Sequence, residues 1–312
     1  MKTVLILGGF GFLGTNAIKY AERCFSGEYN FIVFDMYAQH PHGVQFSSIK
    51  KVYAGDFSDS DLLEQIFKDN RIDIVLHSLS TTVPVNSGNT RYDVESNLIP
   101  TLVVLGLMVK YQVKNIVYLS SGGAIYGVKD SRSHAESDDV FPISSYGVVK
   151  LAIEKYIMQY AQLYGMHPLI LRLSNPYGPY HYSMKQGVVN VALAKAMRGE
   201  TLCIWGDGNG RKDYMYVDDY ATVLYALIGR GVYNEVFNVA SGDLYSVNEI
   251  VGKIRQYVPD MKTEYSDGNI NDASHFALNT EKLMRFLPDF RFTTMEEGLK
   301  STYEWTRKYV EA

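Results

Sequence analysis

The sequence predicts an α/β fold, a doubly wound parallel sheet with a smaller C-terminal α/β substrate lobe. Two patterns predict it. Short apolar runs recur along the chain at 3–8 (TVLILG), 31–35 (FIVFD), 52–56 (VYAGD), 73–78 (DIVLHS), 115–121 (NIVYLSS) and 168–175 (PLILRLSN). Runs that are apolar along their whole length are strands buried on both faces. Between them lie segments of helical period, such as 59–70 (DSDLLEQIFKDN). Strands alternating with helices give a parallel sheet covered on both sides. A further strand is expected at 235–241, after a helix at 218–229.

Composition narrows the class. The chain has 312 residues, 46% hydrophobic and 21% charged, as a soluble globular protein does. Thirty Lys+Arg against 34 Asp+Glu give a net charge of −4, so no broad basic surface and no nucleic-acid partner is expected. Cys24 and Cys203 form no CxxC pattern. Neither a metal site nor a disulfide framework is expected, and a reduced, cytoplasmic location fits. The opening MKTVLILGGFGFLG reads as a first strand, because its apolar run is short and no small-residue cleavage site follows. No run approaches the ~18 apolar residues of a membrane span.

The C-terminal part has another texture. GDGNGRKDYMY (206–216) is a glycine turn entering a strand. Amphipathic helices follow Ser246 and Thr294, which serve as N-caps. The expected division is 1–174 plus about 213–241 as a dinucleotide-binding domain, with 175–212 and 242–312 as the second lobe.

The chemistry begins at the first turn. Gly8, Gly11 and Gly14 stand between the first strand and a helix. Glycines there permit a tight turn, close approach of a pyrophosphate and close helix–strand packing. The first helical residues, Phe12 and Leu13, would offer free N–H groups to the phosphates. Asp35 ends the second strand, 21 residues after Gly14, the distance expected for a carboxylate on a ribose 2′-OH. That carboxylate would repel a 2′-phosphate, so NAD is expected over NADP. Asp56 and Phe57, after the third strand, can touch the adenine; GDFSDSD (55–61) reads equally as a helix N-cap.

Tyr146 and Lys150 lie four apart on a long predicted helix and so share a face. A tyrosine ordinarily titrates near 10 and must drop by about 3 units, about 4 kcal/mol, to act as a base near neutrality. A neighbouring ammonium moves it that way. The stretch LSSGGAIYG (119–127) places Ser120 and Ser121 at the end of a buried strand, with AIYG read as a loop leaving the sheet. His40 and His42 are read as an exposed loop, and His77 as a packed residue rather than a base.

The glycine turn, Asp35, LSSGGAIYG, Tyr146-x-x-x-Lys150, RLSNPYGP (172–179), IWGDGNGRKDYMYVDD (204–219) and the closing MEEGLKSTYEW (295–305) occur in the order seen in extended short-chain dehydrogenase/reductases. The chain most resembles their nucleotide-sugar 4-epimerase branch, the UDP-glucose 4-epimerase-like members of the NAD-dependent epimerase/dehydratase group. The resemblance implies Tyr146 as acid/base, Lys150 holding the nicotinamide ribose, and Leu79, Ser80, Asn97 and Ser120 beside NAD. It implies Thr82 and Gly122 near the sugar and Asn175 near the substrate diphosphate. It also implies a homodimer built from the helices near 95–111 and 145–164.

Three departures from the family pattern stand out. Gly122 occupies the place of the usual catalytic Ser or Thr, which makes Ser121 the candidate hydroxyl. Lys212, preceded by Arg211, replaces the usual phosphate-binding Arg. Asn269 stands where a second Arg is expected. Lys and Asn do not reproduce bidentate Arg recognition. The expected reaction is C4 epimerisation through a 4-keto intermediate. The alternatives are a 4-keto-sugar reductase using NAD(P)H, a dehydratase, and a non-catalytic nucleotide-binding regulator. A dehydratase would carry an Asp-Glu pair where this chain has Gly123 and Ala124.

Overall fold

The computed structural model describes residues 1–82, 89–127, 133–267 and 275–310. Asn269 therefore lies outside the described residues. In chain order the elements are β1 (Lys2–Leu7), α1 (Phe12–Cys24), β2 (Tyr29–Asp35), β3 (Ile49–Ala54), α2 (Ser60–Asp69), β4 (Ile74–His77), α3 (Thr90–Asp93), a π-helical turn (Val94–Leu98) and α4 (Ile99–Lys110). Then come β5 (Asn115–Ser121), α5 (Gly122–Ile125), α6 (Ser145–Tyr164), β6 (His167–Leu173), β7 (Asn175–Tyr177), α7 (Val188–Met197), β8 (Leu202–Trp205), β9 (Arg211–Tyr216), α8 (Val217–Gly229) and β10 (Glu235–Val239). The chain closes with β11 (Leu244–Ser246), α9 (Val247–Ile254), β12 (Thr263–Ser266), β13 (His275–Phe276), α10 (Glu281–Phe286) and α11 (Met295–Val310).

Two compact units result, one of Met1–Gly127, Val140–Arg172 and Ala221–Phe237, the other of Val128–Asp139, Leu173–Tyr220 and Asn238–Ala312. They differ from the sequence-based division chiefly in assigning 133–139 and 213–220 to the second unit.

The first unit is built on a seven-stranded sheet of order β10-β6-β5-β4-β1-β2-β3, in which β3, β2, β1, β4 and β5 pair in parallel. Its last strands, β6 and β10, run on into the second unit at their final residues. The order reverses between β1 and β4, and ligands of such sheets bind beyond the strand carboxyl ends at that point. Alternate residues face opposite layers. Leu5, Leu7, Ile32 and Phe34 pack with Leu63, Ile66 and Phe67 of α2, Val104, Leu105 and Met108 of α4, and Val149, Ile153 and Ile157 of α6. On the other face Tyr225 of α8 stacks on Tyr20 of α1 and tilts against Tyr29 of β2.

Helix α6 has clear ends. The Ser144 side chain accepts from the Gly147 N–H at its start, and Gly165, in the left-handed region at φ 62°, closes it. Burying Ile153 and Ile157 stabilises its seat by about 1.5–3 kcal/mol each.

Three expectations are corrected. AIYG is not a simple loop: the chain passes from β5 directly into the one-turn helix α5, which contains Ala124 and Ile125. His40 is buried rather than exposed, packed edge-on against Phe10 with centroids 5.7 Å apart. The continuous helical stretch Thr90–Lys110, with mean hydropathy 1.3, is long and apolar enough to cross a membrane. Inside the fold 44% of it is buried, and Val104, Leu105, Leu107 and Met108 join the core.

The second unit pairs β11, β9 and β13, with β7 also on β9, and separately β12 on β8. Tyr177, Leu193, Ile204, Tyr214, Ile250 and Leu299 fill its core. Ser246 and Glu249 form a reciprocal capping box on α9.

Candidate active site

The glycine turn is shaped so that larger residues do not fit. Gly8 has φ +78°, and a Cβ there would lie 2.9 Å from the Leu79 Cα. A Cβ on Gly14 would lie 2.4 Å from the Gly8 carbonyl oxygen. Helix α1 begins at Phe12 with Gly11 as N-cap, no side-chain cap and no acid in its first turn. The positive end of α1, with neither a capping side chain nor an acid of its own, is suited to an anion. These features fit a dinucleotide pyrophosphate.

Asp35 is tied to the same turn: its Oδ2 accepts from the Phe10 N–H at 2.9 Å. Burial raises its pKa, and the N–H groups of Phe10, Tyr37 and Met36 oppose that rise. Its neighbour Gly8 donates to the Phe34 carbonyl at 2.8 Å. Asp56 is exposed and accepts from the Ser58 N–H and hydroxyl at 2.8 and 2.6 Å. The Phe57 ring is turned into the core against Phe34 and His77, so its side chain does not face solvent.

The loop after β4 is organised by Asn97. Asn97 sits in the π-helical turn, a geometry frequent at functional sites. Its Oδ1 accepts from the Thr81 N–H at 2.8 Å, and its Nδ2 donates to the Thr81 hydroxyl at 2.7 Å. The buried Thr82 hydroxyl lies 3.5 Å from the same nitrogen. Ser80 donates to the Thr82 carbonyl at 2.8 Å, and Leu79 abuts Gly8. Thr81 and Ser96, which sequence reasoning missed, complete this cluster.

At the carboxyl end of β5, Ser121 has extended backbone, φ −126° and ψ 106°, before α5 begins at the buried Gly122. Its hydroxyl hydrogen-bonds the hydroxyl of Tyr146. Burial pushes the Tyr146 phenol up to about 12, and the Ser121 bond pulls the other way. The Lys150 ammonium donates to the Leu119 carbonyl at 3.0 Å and lies 5.7 Å from the Tyr146 ring centroid and 5.0 Å from that of Tyr118. Burial pulls Lys150 down to about 8, against the attraction of Glu154. Ser120 is buried, and its hydroxyl has no hydrogen-bond partner among the described residues. His77 is buried, with Nε2 2.9 Å from the Thr101 hydroxyl. Burial, then the Lys150 charge, lower it to about 3, so it is a neutral packing residue.

In the second unit, Asn175 donates to the Asp213 carbonyl at 2.7 Å. Arg211 pairs with Glu249 of the capping box and donates to the Leu244 carbonyl, so its guanidinium is engaged. Lys212 stands one residue on along β9, and its side chain faces the opposite side of the strand. Sequence reasoning also missed the buried pair Glu154–Arg172, although Glu154 stands four residues after Lys150 on the same helix. Among the described residues no cluster of three or more metal-ligating side chains exists.

A parallel sheet with a glycine turn after β1, an acid ending β2 and a hydroxyl–Tyr–Lys group at the end of β5 defines an NAD-binding enzyme of the extended short-chain dehydrogenase/reductase type. The profile of the NAD dependent epimerase/dehydratase family matches residues 4–240, and the chain belongs to that family. A Methanocaldococcus jannaschii protein bearing the name "Putative UDP-glucose 4-epimerase" is 33% identical over 82% of each chain. The crystal structure of UDP-glucose 4-epimerase from Thermotoga maritima, solved with UDP-glucose, superimposes with a TM-score of 0.91 at 30% identity over 99% of each chain. The Thermus thermophilus UDP-glucose 4-epimerase, solved with NAD, gives 0.87 at 25% identity, covering 98% of this chain and 99% of that one. NAD is thus the cofactor of this family's chemistry, and the glycine turn, the uncapped α1 and Asp35 are the residues that would hold it.

Proposed function

We propose that the protein is a C4 epimerase of a nucleotide-linked hexose, of the UDP-glucose 4-epimerase kind. The observation that carries this reading is the Ser121–Tyr146–Lys150 group followed by Gly122, Gly123 and Ala124. That turn offers hydroxyl and phenol chemistry but no carboxylate of the sort a 4,6-dehydratase would need there. Bound NAD supplies a two-electron carrier that accepts hydride from a carbinol carbon and returns it to the carbonyl. Tyr146 removes the C4 hydroxyl proton as that carbon is oxidised, and gives it back on reduction. Ser121 donates a hydrogen bond to the same oxygen, where charge develops. Lys150 favours the phenolate by its charge. Thr82 flanks the sugar beside Asn97. Arg211, engaged with Glu249, serves the structure of β9.

Purified protein supplied with UDP-glucose is expected to form UDP-galactose, with NAD retained through gel filtration. An empty site that oxidises added NADPH with a 4-keto sugar would replace this reading by the reductase one. No turnover with any nucleotide sugar would leave a regulatory binder.

Asp35 is proposed to accept from the adenosine ribose 2′-OH while holding Phe10. Calorimetric titration is expected to show NAD binding at least tenfold tighter than NADP, since a 2′-phosphate would meet a buried carboxylate. Equal affinities would remove that role from Asp35.

A homodimer through α4 and α6 is also proposed. Ile99, Val148 and Leu163 on these helices are exposed to 50%, 51% and 62%, and such apolar surface is usual at interfaces. Light scattering at micromolar concentration is expected to give twice the 35.2 kDa chain mass; the mass of a single chain would refute it.

A further inference from the structure

We propose that Glu154 and Arg172 are positioning residues for the Tyr146–Lys150 pair: Arg172 clamps the Glu154 carboxylate behind Lys150 and at the same time holds Tyr126, the residue that follows the turn carrying Ser121's chain away from the sheet. This rests on the reading of Tyr146 and Lys150 as the reacting pair.

The geometry is a buried chain of polar contacts. Tyr146, Lys150 and Glu154 recur every four residues along α6, so they lie near one face of the helix. Glu154 and Arg172 are both buried. The Arg172 Nε donates to Oε1 and Oε2 at 3.2 and 3.3 Å, and Nη2 donates to Oε2 at 2.8 Å. Nη1 donates to the Tyr126 hydroxyl at 2.8 Å. Tyr126 is fully buried and lies five residues after Ser121. One guanidinium on β6 therefore ties together the helix that carries Tyr146 and the turn that follows Ser121.

The charge argument runs through Lys150. The groups facing its ammonium are Tyr118 and the Leu119 carbonyl from β5, the neutral His77 from β4, and Tyr146 and Glu154 from its own helix. Of these only Glu154 is an acid, and its attraction opposes the burial that drives Lys150 toward its neutral form. Removing the carboxylate must lower the pH at which Lys150 loses its proton. Arg172 holds the Glu154 carboxylate in place through its Nε and Nη2 hydrogen bonds.

The test follows the Lys150 Nζ and Cε chemical shifts against pH in lysine-labelled protein, both cofactor-free and saturated with NAD, with the signal identified by its loss in Lys150→Arg. Glu154→Gln is expected to move the Lys150 midpoint down by about one unit in both forms. The alkaline limb of kcat moves down with it while KM stays. A role confined to folding would lower kcat equally at every pH and leave the midpoint in place. Because Glu154→Gln leaves Arg172 without its partner, the double variant Glu154→Met/Arg172→Met is measured beside it; replacing a whole buried pair by apolar side chains is commonly tolerated. A smaller downward shift is expected in the double variant, because the Arg172 cation leaves together with the Glu154 carboxylate. An unmoved midpoint in either folded variant overturns the proposal. A shifted midpoint in a protein that epimerises nothing would instead overturn the assigned reaction.

Discussion

Tyr146→Phe is expected to lower single-turnover hydride transfer by about 10³-fold while NAD binding stays at the wild-type level. In the proposed reaction the Tyr146 phenol takes and returns the proton, and Phe keeps its packing. Ser121→Ala should cost about 10²-fold, the usual loss for one donor to a developing oxyanion. It should also carry a pH signature. Burial raises the Tyr146 phenol to about 12 even though the Ser121 bond pulls it down. Without that bond the phenol holds its proton to higher pH, so the acid limb of kcat/KM moves up. Thr82→Val is the control, because the Thr82 hydroxyl lies near the Asn97 amide. If Thr82→Val loses hydride transfer and Ser121→Ala keeps it, the donor belongs to the loop after β4 and Ser121 is not catalytic.

Gly14→Ala is expected to weaken NAD by about 10²-fold or more, measured by calorimetry, with only a modest change in thermal midpoint. The added Cβ would stand 2.4 Å from the Gly8 carbonyl oxygen and 2.8 Å from the Gly9 Cα, both backbone atoms that cannot swing aside as a side chain would. The turn must open, and the first N–H groups of α1 then lose their aim at the phosphates. Gly106→Ala is the comparison. A Cβ there meets nothing within 4 Å, and alanine is the better helix former, so binding should not change. Wild-type NAD affinity in folded Gly14→Ala would show that the pyrophosphate does not rest on this turn.

The strand and helix pattern of the first unit was legible because its signals are local. Continuous apolar runs read as buried strands, and 115–121 coincides with β5. Ser144 and Gly165 bracket α6 at the two ends a helix needs. Tyr146 and Lys150 were legible on one face because helical spacing alone places them there. Ser246 could be read as a cap because its partner, Glu249, lies three residues away.

Other features were hidden because the contacts that make them join distant parts of the chain. Asp35 reads as a ribose ligand, yet only the fold brings it to the N–H of Phe10, 25 residues earlier. His40 reads as a surface loop residue, and only the packing of Phe10 and Phe46 around it makes it buried. Arg211 reads only as the neighbour of Lys212, and the return of the chain at Glu249, 38 residues on, gives its guanidinium a carboxylate partner. Spacing places Glu154 behind Lys150, but no local pattern names Arg172 and Tyr126 as its support, 18 and 28 residues away. Local sequence thus determined the strands, the long helix and the Tyr–Lys spacing, because propensity and period act over one or two turns. The tertiary structure decided which polar groups are buried together, because desolvation favours partners for buried charges, and those partners, as Arg172 is to Glu154, come from wherever the fold brings them.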